Sequence, residues 1–141
     1  MDGQQEITTF DRIGGAVTID RLVEAFYHNM DTLPEAATIR AMHANDLGPV
    51  KNVLKRYFTE WMGGPPLYSV ERGHPRLRRR HMGFPIDTAA RDAWLACMRP
   101  ALEETVADAE EREKIYALMV KLADWMRNTG DNPHDNGEVI R

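Results

Sequence analysis

Apolar residues recur at steps of three and four along most of this chain, which is the spacing of one face of an α-helix. The pattern is clearest in long segments, which we predict as helices at about 18–31, 49–62, 88–107 and 110–128. A short helix is also predicted from His74-Pro75 to His81, because proline is tolerated in a first helical turn. The sequence has no segment with the alternating pattern of a half-buried strand. These features predict an all-α fold.

Turn-forming residues separate the predicted helices. The GGPP sequence at 63–66 should end the second helix, because glycine accepts a left-handed backbone and proline cannot continue a helix. The stretch 67–73 has no sustained period, and we expect it to be irregular. We expect the last helix to bury a stripe formed by Ile115, Leu118, Met119, Leu122, Trp125 and Met126.

Composition narrows the class of protein. The 141 residues, 43% of them hydrophobic, are enough for one domain, which we place at 9–128 between flexible polar tails at 1–8 and 129–141. A formal net charge of -4 argues against a nucleic-acid partner or an acidic membrane partner. No apolar run approaches the roughly 18 residues of a membrane span. The sequence has one cysteine, Cys97, so no disulfide can form within the chain and a reducing, cytoplasmic location fits best. Cys97 is expected to be a small buried hydrophobe.

One histidine-containing segment carries the strongest functional indication. GHPRLRRRHMGF at 73–84 resembles the stretch that carries the iron-binding histidine in truncated haemoglobins of group II, the group with a distal tryptophan. The likeness extends over about residues 8–128, and its motifs occur in the family's order and spacing: FDRIGG at 10–15, FYHNM at 26–30, GGPPLY at 63–68 and RDAWLACM at 91–98. The resemblance implies a truncated globin fold, a two-over-two helical sandwich around haem b (iron protoporphyrin IX).

The resemblance makes His81 the protein ligand of the haem iron. A neutral imidazole can bind the metal through one nitrogen and donate a hydrogen bond from the other, here to a backbone carbonyl of its own helix. The anionic propionates of haem suit a guanidinium, and Arg80 is the first candidate, followed by Arg76, Arg78 and Arg79. Without the resemblance these arginines would be a solvated surface or a patch for nucleic acid.

The resemblance assigns the distal side to Tyr27, in FYHNM, and Trp94, in RDAWL. Their O–H and N–H groups can stabilise the partial negative charge on oxygen held by haem. The resemblance implies a third polar position in the corner that follows the helix of Tyr27. His43 is the first choice for it and Met42 the alternative. Ala44 stands where many relatives have proline, so the backbone of this corner is less constrained.

Apolar residues should complete the haem pocket. On the distal side we expect Leu54, Tyr57 and Phe58, and the rest of the cage is assigned to Leu77, Phe84, Ile86, Met98 and Met119. Each of these positions is equally compatible with an ordinary core role. His28, His74 and His134 receive no role in iron chemistry.

The implied function is binding of oxygen, nitric oxide, carbon monoxide or peroxide at a five-coordinate haem iron. Two distal donors favour redox chemistry with an unidentified reductase, such as a nitric oxide dioxygenase or peroxidase-like activity, or ligand sensing. The alternative is reversible oxygen carriage or storage without turnover. A third reading is a haem-free helical interaction module. The oligomeric state is left open, with a homodimer as one option.

Overall fold

The computed structural model describes residues 7–128, apart from the side chains of residues 77 and 78. Within this range every regular element is helical. The elements are α1 (Thr9–Arg12), α2 (Ala16–Thr32), a 3-10 turn (Pro34–Ala36), α3 (Ala37–Ala41), α4 (Gly48–Trp61), α5 (Leu67–Arg72), α6 (Leu77–Arg80), α7 (Thr88–Thr105) and α8 (Ala109–Met126). The all-α prediction is confirmed, and each predicted helix is present. The predicted tails fall outside the described residues at 1–6 and 129–141.

The long helices form two packed pairs. Helix α2 packs on α4 and on α7, and α7 packs on α8. The apolar face predicted for α2 is buried along its length, and it meets the buried face of α7 in a single core. Fully buried side chains at this seam include Leu22, Phe26, Met30, Cys97, Met98 and Leu102. Burial of such side chains supplies most of the favourable free energy of folding.

A glycine turn locks α1 against the end of α4. The Phe10 N–H donates to the Met62 carbonyl over 2.8 Å. A Cβ atom at Gly64 would lie 2.9 Å from both the Phe10 ring and the Thr59 carbonyl oxygen, so only glycine fits this contact. The GGPP turn therefore ends α4 and also provides the seat for the N-terminal helix.

Helix α5 corrects the expectation of an irregular stretch after the turn. Tertiary contacts, not periodicity, support this short helix. Tyr68 is buried, and both the backbone N–H and the hydroxyl of Ser69 donate to the Glu60 carboxylate. These bonds lower the pKa of Glu60. They also give α5 hydrogen-bond partners on α4, which the sequence pattern of residues 67–73 does not predict.

The stripe expected on α8 is partly wrong. The buried residues of α8 follow steps of four, from Glu111 through Ile115 and Met119 to Ala123. Leu118 and Trp125 are 54% and 40% exposed. The buried stripe of α8 is narrow because its main packing partner is α7, and both residues lie beside that stripe.

Cys97 lies in the seam between α2 and α7, as expected for a buried hydrophobe. Its side chain is fully buried, and burial raises the pKa of the thiol to about 11. The Asn29 side-chain amide donates to the Cys97 carbonyl over 2.8 Å, which joins the two helices at this level.

Among the described helices, none combines the length and apolar character needed to cross a bilayer.

Candidate ligand-binding site

A cavity of about 450 Å³ lies between the helices, within the size range of small-molecule and cofactor sites. Its walls come from α2, from the corner between α3 and α4, from α4 and α5, from residues 80–86, and from α7 and α8. Most of the lining is apolar or aromatic. The charged lining residues in the described part of the chain are Arg80 and Arg91, and no carboxylate lines the cavity there.

The three polar residues assigned to the distal side all line this cavity. Phe26 is packed between two of them, with its ring centroid 4.9 Å from that of Tyr27 and 5.2 Å from that of Trp94. The Tyr27 and His43 ring centroids are 5.9 Å apart. Burial raises the pKa of Tyr27, so its hydroxyl keeps its proton at neutral pH. Tyr27 and the Trp94 indole therefore offer hydrogen-bond donors.

His43 differs from these two because one ring nitrogen is already engaged. Its Nδ1 lies 2.8 Å from the Ile39 carbonyl oxygen. A carbonyl oxygen only accepts, so Nδ1 carries the proton in the neutral ring, and Nε2 is then an acceptor. Met42, the alternative occupant of this corner, also lines the cavity. The corner thus contributes both residues, and the neutral imidazole adds an acceptor to the two donors.

The segment predicted to carry the iron ligand follows the short helix α6. His81 comes directly after this helix and lines the cavity together with Arg80, Phe84 and Ile86. The Arg80 Nε–H donates to the Pro75 carbonyl over 2.8 Å, which fixes the stem of its side chain. The structure therefore brings these four predicted residues together.

Other predicted residues of this segment are placed elsewhere or are not described. Arg76 and Arg79 are exposed and are absent from the cavity lining. Arg76 has a φ of 47°, a left-handed backbone that is uncommon outside glycine. The side chains of Leu77 and Arg78 lie outside the described residues.

The register between α7 and α8 explains why two predicted methionines do not line the cavity. Arg91 donates to Asp124, and Arg127 donates to Thr88, so the N-terminal half of α7 faces the C-terminal half of α8. The residues of α7 and α8 that line the cavity all lie at this end of the helix pair. Met98 and Met119 lie further from that end of the antiparallel pair and are fully buried in the core. The structure therefore places both methionines in the core and not in the cavity lining.

Sequence reasoning missed several residues that do line the cavity. Arg91 lies off the apolar stripe of α7, yet it reaches the cavity and pairs with Asp124. On α8, Leu122 and Met126 line the cavity one and two turns beyond Met119. The pairing register, which a single sequence does not reveal, decides these positions.

Helices α4 and α5 supply an aromatic wall. Leu54, Tyr57 and Phe58 line the cavity as predicted, and Tyr68 joins them. The Tyr57 ring lies edge-on to Tyr68, with centroids 5.8 Å apart. Burial raises the pKa of Tyr57 to about 12, so this hydroxyl also stays protonated. Tyr68 is the last residue of the GGPPLY motif. That motif is the sequence feature from which its place in the cavity could have been predicted.

A family model described as Bacterial-like globin matches residues 8–128. This chain belongs to that family. It is 34% identical over 126 residues to the group 2 truncated hemoglobin YjbI of Bacillus subtilis, a match that covers 89% of this chain and 92% of the relative. Membership implies haem-based ligand binding, and it confirms the resemblance inferred from the motifs.

Solved structures agree with this assignment. A group II 2-on-2 hemoglobin from Agrobacterium tumefaciens is 45% identical, with a TM-score of 0.86, and the match covers 90% of this globin and 98% of that chain. The group II truncated hemoglobin from Bacillus anthracis is 35% identical, with a TM-score of 0.81, over 88% of this chain and 98% of that one. The predicted fold, a two-over-two globin sandwich, is confirmed.

Proposed function

We propose that this globin binds haem b with His81 as the protein ligand of the iron, and that it uses the site to bind oxygen and related diatomic molecules. The observation that carries the proposal is the apolar cavity itself. It brings His81 of the segment after α6 into one space with Tyr27, His43 and Trp94 of other elements.

The cavity suits the chemistry of haem in its charge as well as its polarity. A large apolar ring system needs an apolar cage, and its two propionates need cations near the edge. Arg80 and Arg91 both bring a guanidinium group to the lining. Arg91 already pairs with Asp92 and Asp124, so Arg80 is the better partner for a propionate.

The metal-binding potential of the chain points the same way. Within the described residues, no group of three or more His, Cys, Asp or Glu side chains could hold a metal ion. A single imidazole suits an iron that arrives with its own equatorial nitrogen ligands, as in a porphyrin. The chain lacks a CxxCH motif, and Cys97 is fully buried, which supports non-covalent haem b.

When bound, haem would supply an iron atom that can bind a diatomic ligand. The protein's contribution is a dry space with hydrogen bonds aimed into it. Tyr27 and Trp94 donate, and the His43 ring nitrogen that does not face Ile39 accepts, so His43 can orient the Tyr27 hydroxyl. Phe26 holds the two donors in place through its ring contacts. The aromatic wall from α4 and α5 adds apolar surface beside the ligand.

Two donors that face one ligand favour its retention. Slow release suits turnover or sensing better than bulk delivery. We therefore propose redox chemistry, such as nitric oxide oxidation or peroxide reduction, supported by a reductase that returns the iron to the ferrous state. Repeated cycles of oxygen binding and nitric oxide addition, run with an added reductase and its electron donor, test this step; iron that stays ferric after the first cycle would favour carriage.

Absorption spectroscopy of the purified, haem-reconstituted protein tests the site assignment. The parent should take up one haem and show a ferrous spectrum that changes on addition of carbon monoxide. His81→Ala should lose the histidine-ligated ferrous spectrum, and added imidazole should restore it. His28→Ala is the matched control, because His28 is exposed on α2 and does not line the cavity. An unchanged ferrous spectrum in His81→Ala would disprove the assignment.

A further inference from the structure

Asn128 ties the segment that carries His81 to the end of α8. Its side-chain amide donates to the His81 carbonyl over 3.1 Å and to the Phe84 carbonyl over 2.8 Å. The side-chain oxygen accepts from the Ile86 N–H over 2.8 Å, and the Asn128 N–H donates to the Ile86 carbonyl over 2.9 Å. One residue thus contacts the backbone of this segment at three positions.

The segment itself is short and largely exposed. Helix α6 has only four residues, and residues 82–85 are exposed, including Met82 and the Phe84 ring. Its backbone makes local turn bonds, from the Met82 N–H to the Arg79 carbonyl and from the Phe84 N–H to the His81 carbonyl, the same carbonyl that Asn128 reaches. Short helices of this size are not stable by themselves, so their position depends on tertiary contacts.

The other end of the connection is firmly held. Arg127, next in the chain, is 8% exposed and donates to Asp124 over 2.9 Å and to Thr88 over 3.4 Å. Asp124 also accepts from Arg91 of α7. Asn128 therefore follows a residue that is fixed to the packed pair α7 and α8. Its hydrogen bonds link the exposed segment to that pair.

We propose that Asn128 is a positioning residue for the haem ligand: its side-chain amide sets where the backbone of residues 81–86 lies, and so the direction from which the His81 imidazole enters the cavity. This inference rests on the proposed role of His81. Partners that orient a metal ligand change metal affinity by about 10- to 100-fold when they are removed. We expect loss of the amide to speed haem loss by a factor in that range.

Two substitutions separate the parts of the contact. Asn128→Ala removes all three side-chain bonds but keeps the backbone bond to Ile86. Asn128→Asp is nearly isosteric and keeps the acceptor for the Ile86 N–H, but it replaces the donor with an oxygen that faces two carbonyls. Asn29→Ala is the matched control, because that amide also donates to a backbone carbonyl, at Cys97, away from the His81 segment.

The first measurement needs no haem. Hydrogen exchange of the apo proteins, followed by mass spectrometry, should show faster exchange in residues 81–86 for both Asn128 variants, with α2 unchanged. The second is the iron–histidine stretching frequency of the ferrous proteins in resonance Raman spectra. It should shift in both Asn128 variants and stay at the parent value in Asn29→Ala. Haem transfer to an excess of an acceptor globin gives the rate of haem loss.

The outcomes distinguish this inference from the proposed function. If exchange in 81–86 and the iron–histidine frequency match the parent in Asn128→Ala, the inference is wrong. It is also wrong if Asn29→Ala produces the same changes, because the effect is then one of general stability. If the parent shows no histidine-ligated iron, the proposed function fails, and with it the role for His81, whatever the exchange data show for the backbone.

Discussion

The cavity has two kinds of wall, and they differ in how they are held. On the side of Tyr27 and Trp94, the functional residues belong to α2 and α7, whose packed faces form the core of the molecule. On the side of His81, the wall is an exposed segment after a four-residue helix, and backbone hydrogen bonds from Asn128 fix its place. We call these the core wall and the tethered wall.

The difference separates two properties that a haem protein must combine. Changes in the core wall should act on folding and on the diatomic ligand, because the donors sit on helices that hold the domain together. Changes in the tethered wall should act on haem retention with little cost in folding. The predictions below test this separation.

A matched pair of phenylalanines gives the largest expected contrast. Phe26→Ala should lower the free energy of unfolding by about 3–5 kcal/mol, because it removes a fully buried ring from the core wall. Phe84→Ala, whose ring is 44% exposed on the tethered wall, should cost about 1 kcal/mol or less but speed haem loss. Urea unfolding of the apo proteins and haem transfer measure the two effects. Equal unfolding costs would contradict the division into two walls.

The donors of the core wall should control ligand release. Trp94→Phe removes an N–H but keeps most of the aromatic bulk, and a hydrogen bond to a charge-bearing group is worth about 1.5–3 kcal/mol. Oxygen should then leave faster by about one to two powers of ten. Tyr27→Phe should act in the same direction, and the double variant should be non-additive because both donors face one ligand.

Stopped-flow displacement of oxygen measures these rates, with carbon monoxide as the less charge-sensitive comparison. Haem loss should stay close to the parent rate in both single variants. Parent-like oxygen release in all three variants would show that neither donor reaches the ligand.

The anchor of the tethered wall should show a pH-dependent stability. Burial raises the pKa of Asp124, but hydrogen bonds from Arg91 and Arg127 outweigh it, and the net pKa is lowered. A group with a lowered folded pKa stabilises the fold above its unfolded pKa near 3.9 and loses that contribution as the pH falls through the folded pKa. Asp124→Asn should therefore be less stable than the parent by about 1 kcal/mol at pH 7.

This deficit should shrink below about pH 4, because the parent loses the same charge there. Urea unfolding of the apo proteins at a series of pH values gives the comparison. Asp20→Asn is the control, because Asp20 is an exposed carboxylate on α2 that pairs with Lys55 and does not contact the pair α7 and α8 through that bond. A constant deficit down to pH 2 would mean that packing, not charge, accounts for it.

The helices of the core wall were predictable from apolar periodicity, whereas the residues of the tethered wall were selected by the family motifs and their hydrogen bonds to Asn128 were not predicted. Helices α2, α4, α7 and α8 follow from apolar periodicity, because burial of one face is what makes these segments helical. Helix α5 was missed, because its support comes from contacts of Ser69 with Glu60 and of Tyr68 with Tyr57, residues of α4 that lie about ten positions earlier in the chain. Such contacts leave no local pattern.

The site shows the same limit. Family motifs were enough to select Tyr27, His43, Trp94, Arg80 and His81, and all of them line the cavity. Periodicity puts Arg91 off the apolar stripe of α7, and the position of Met98 and Met119 relative to the cavity depends on the antiparallel register of α7 and α8, which a single sequence does not reveal. Asn128 lay at the end of the predicted last helix, with no signal that its amide reaches back to residue 81.

The buried thiol gives this molecule an internal reporter. Cys97 sits where α2 meets α7, fully covered, with its pKa raised to about 11 by burial, so a thiol reagent reaches it only after the two helices part. When opening and closing are faster than the chemical labelling, the labelling rate is proportional to the fraction of molecules that are open. Because the sequence has only one cysteine, each modified chain carries its label at one position, in the core wall. Labelling with and without haem would therefore read, at one known position, how far ligand binding closes the globin.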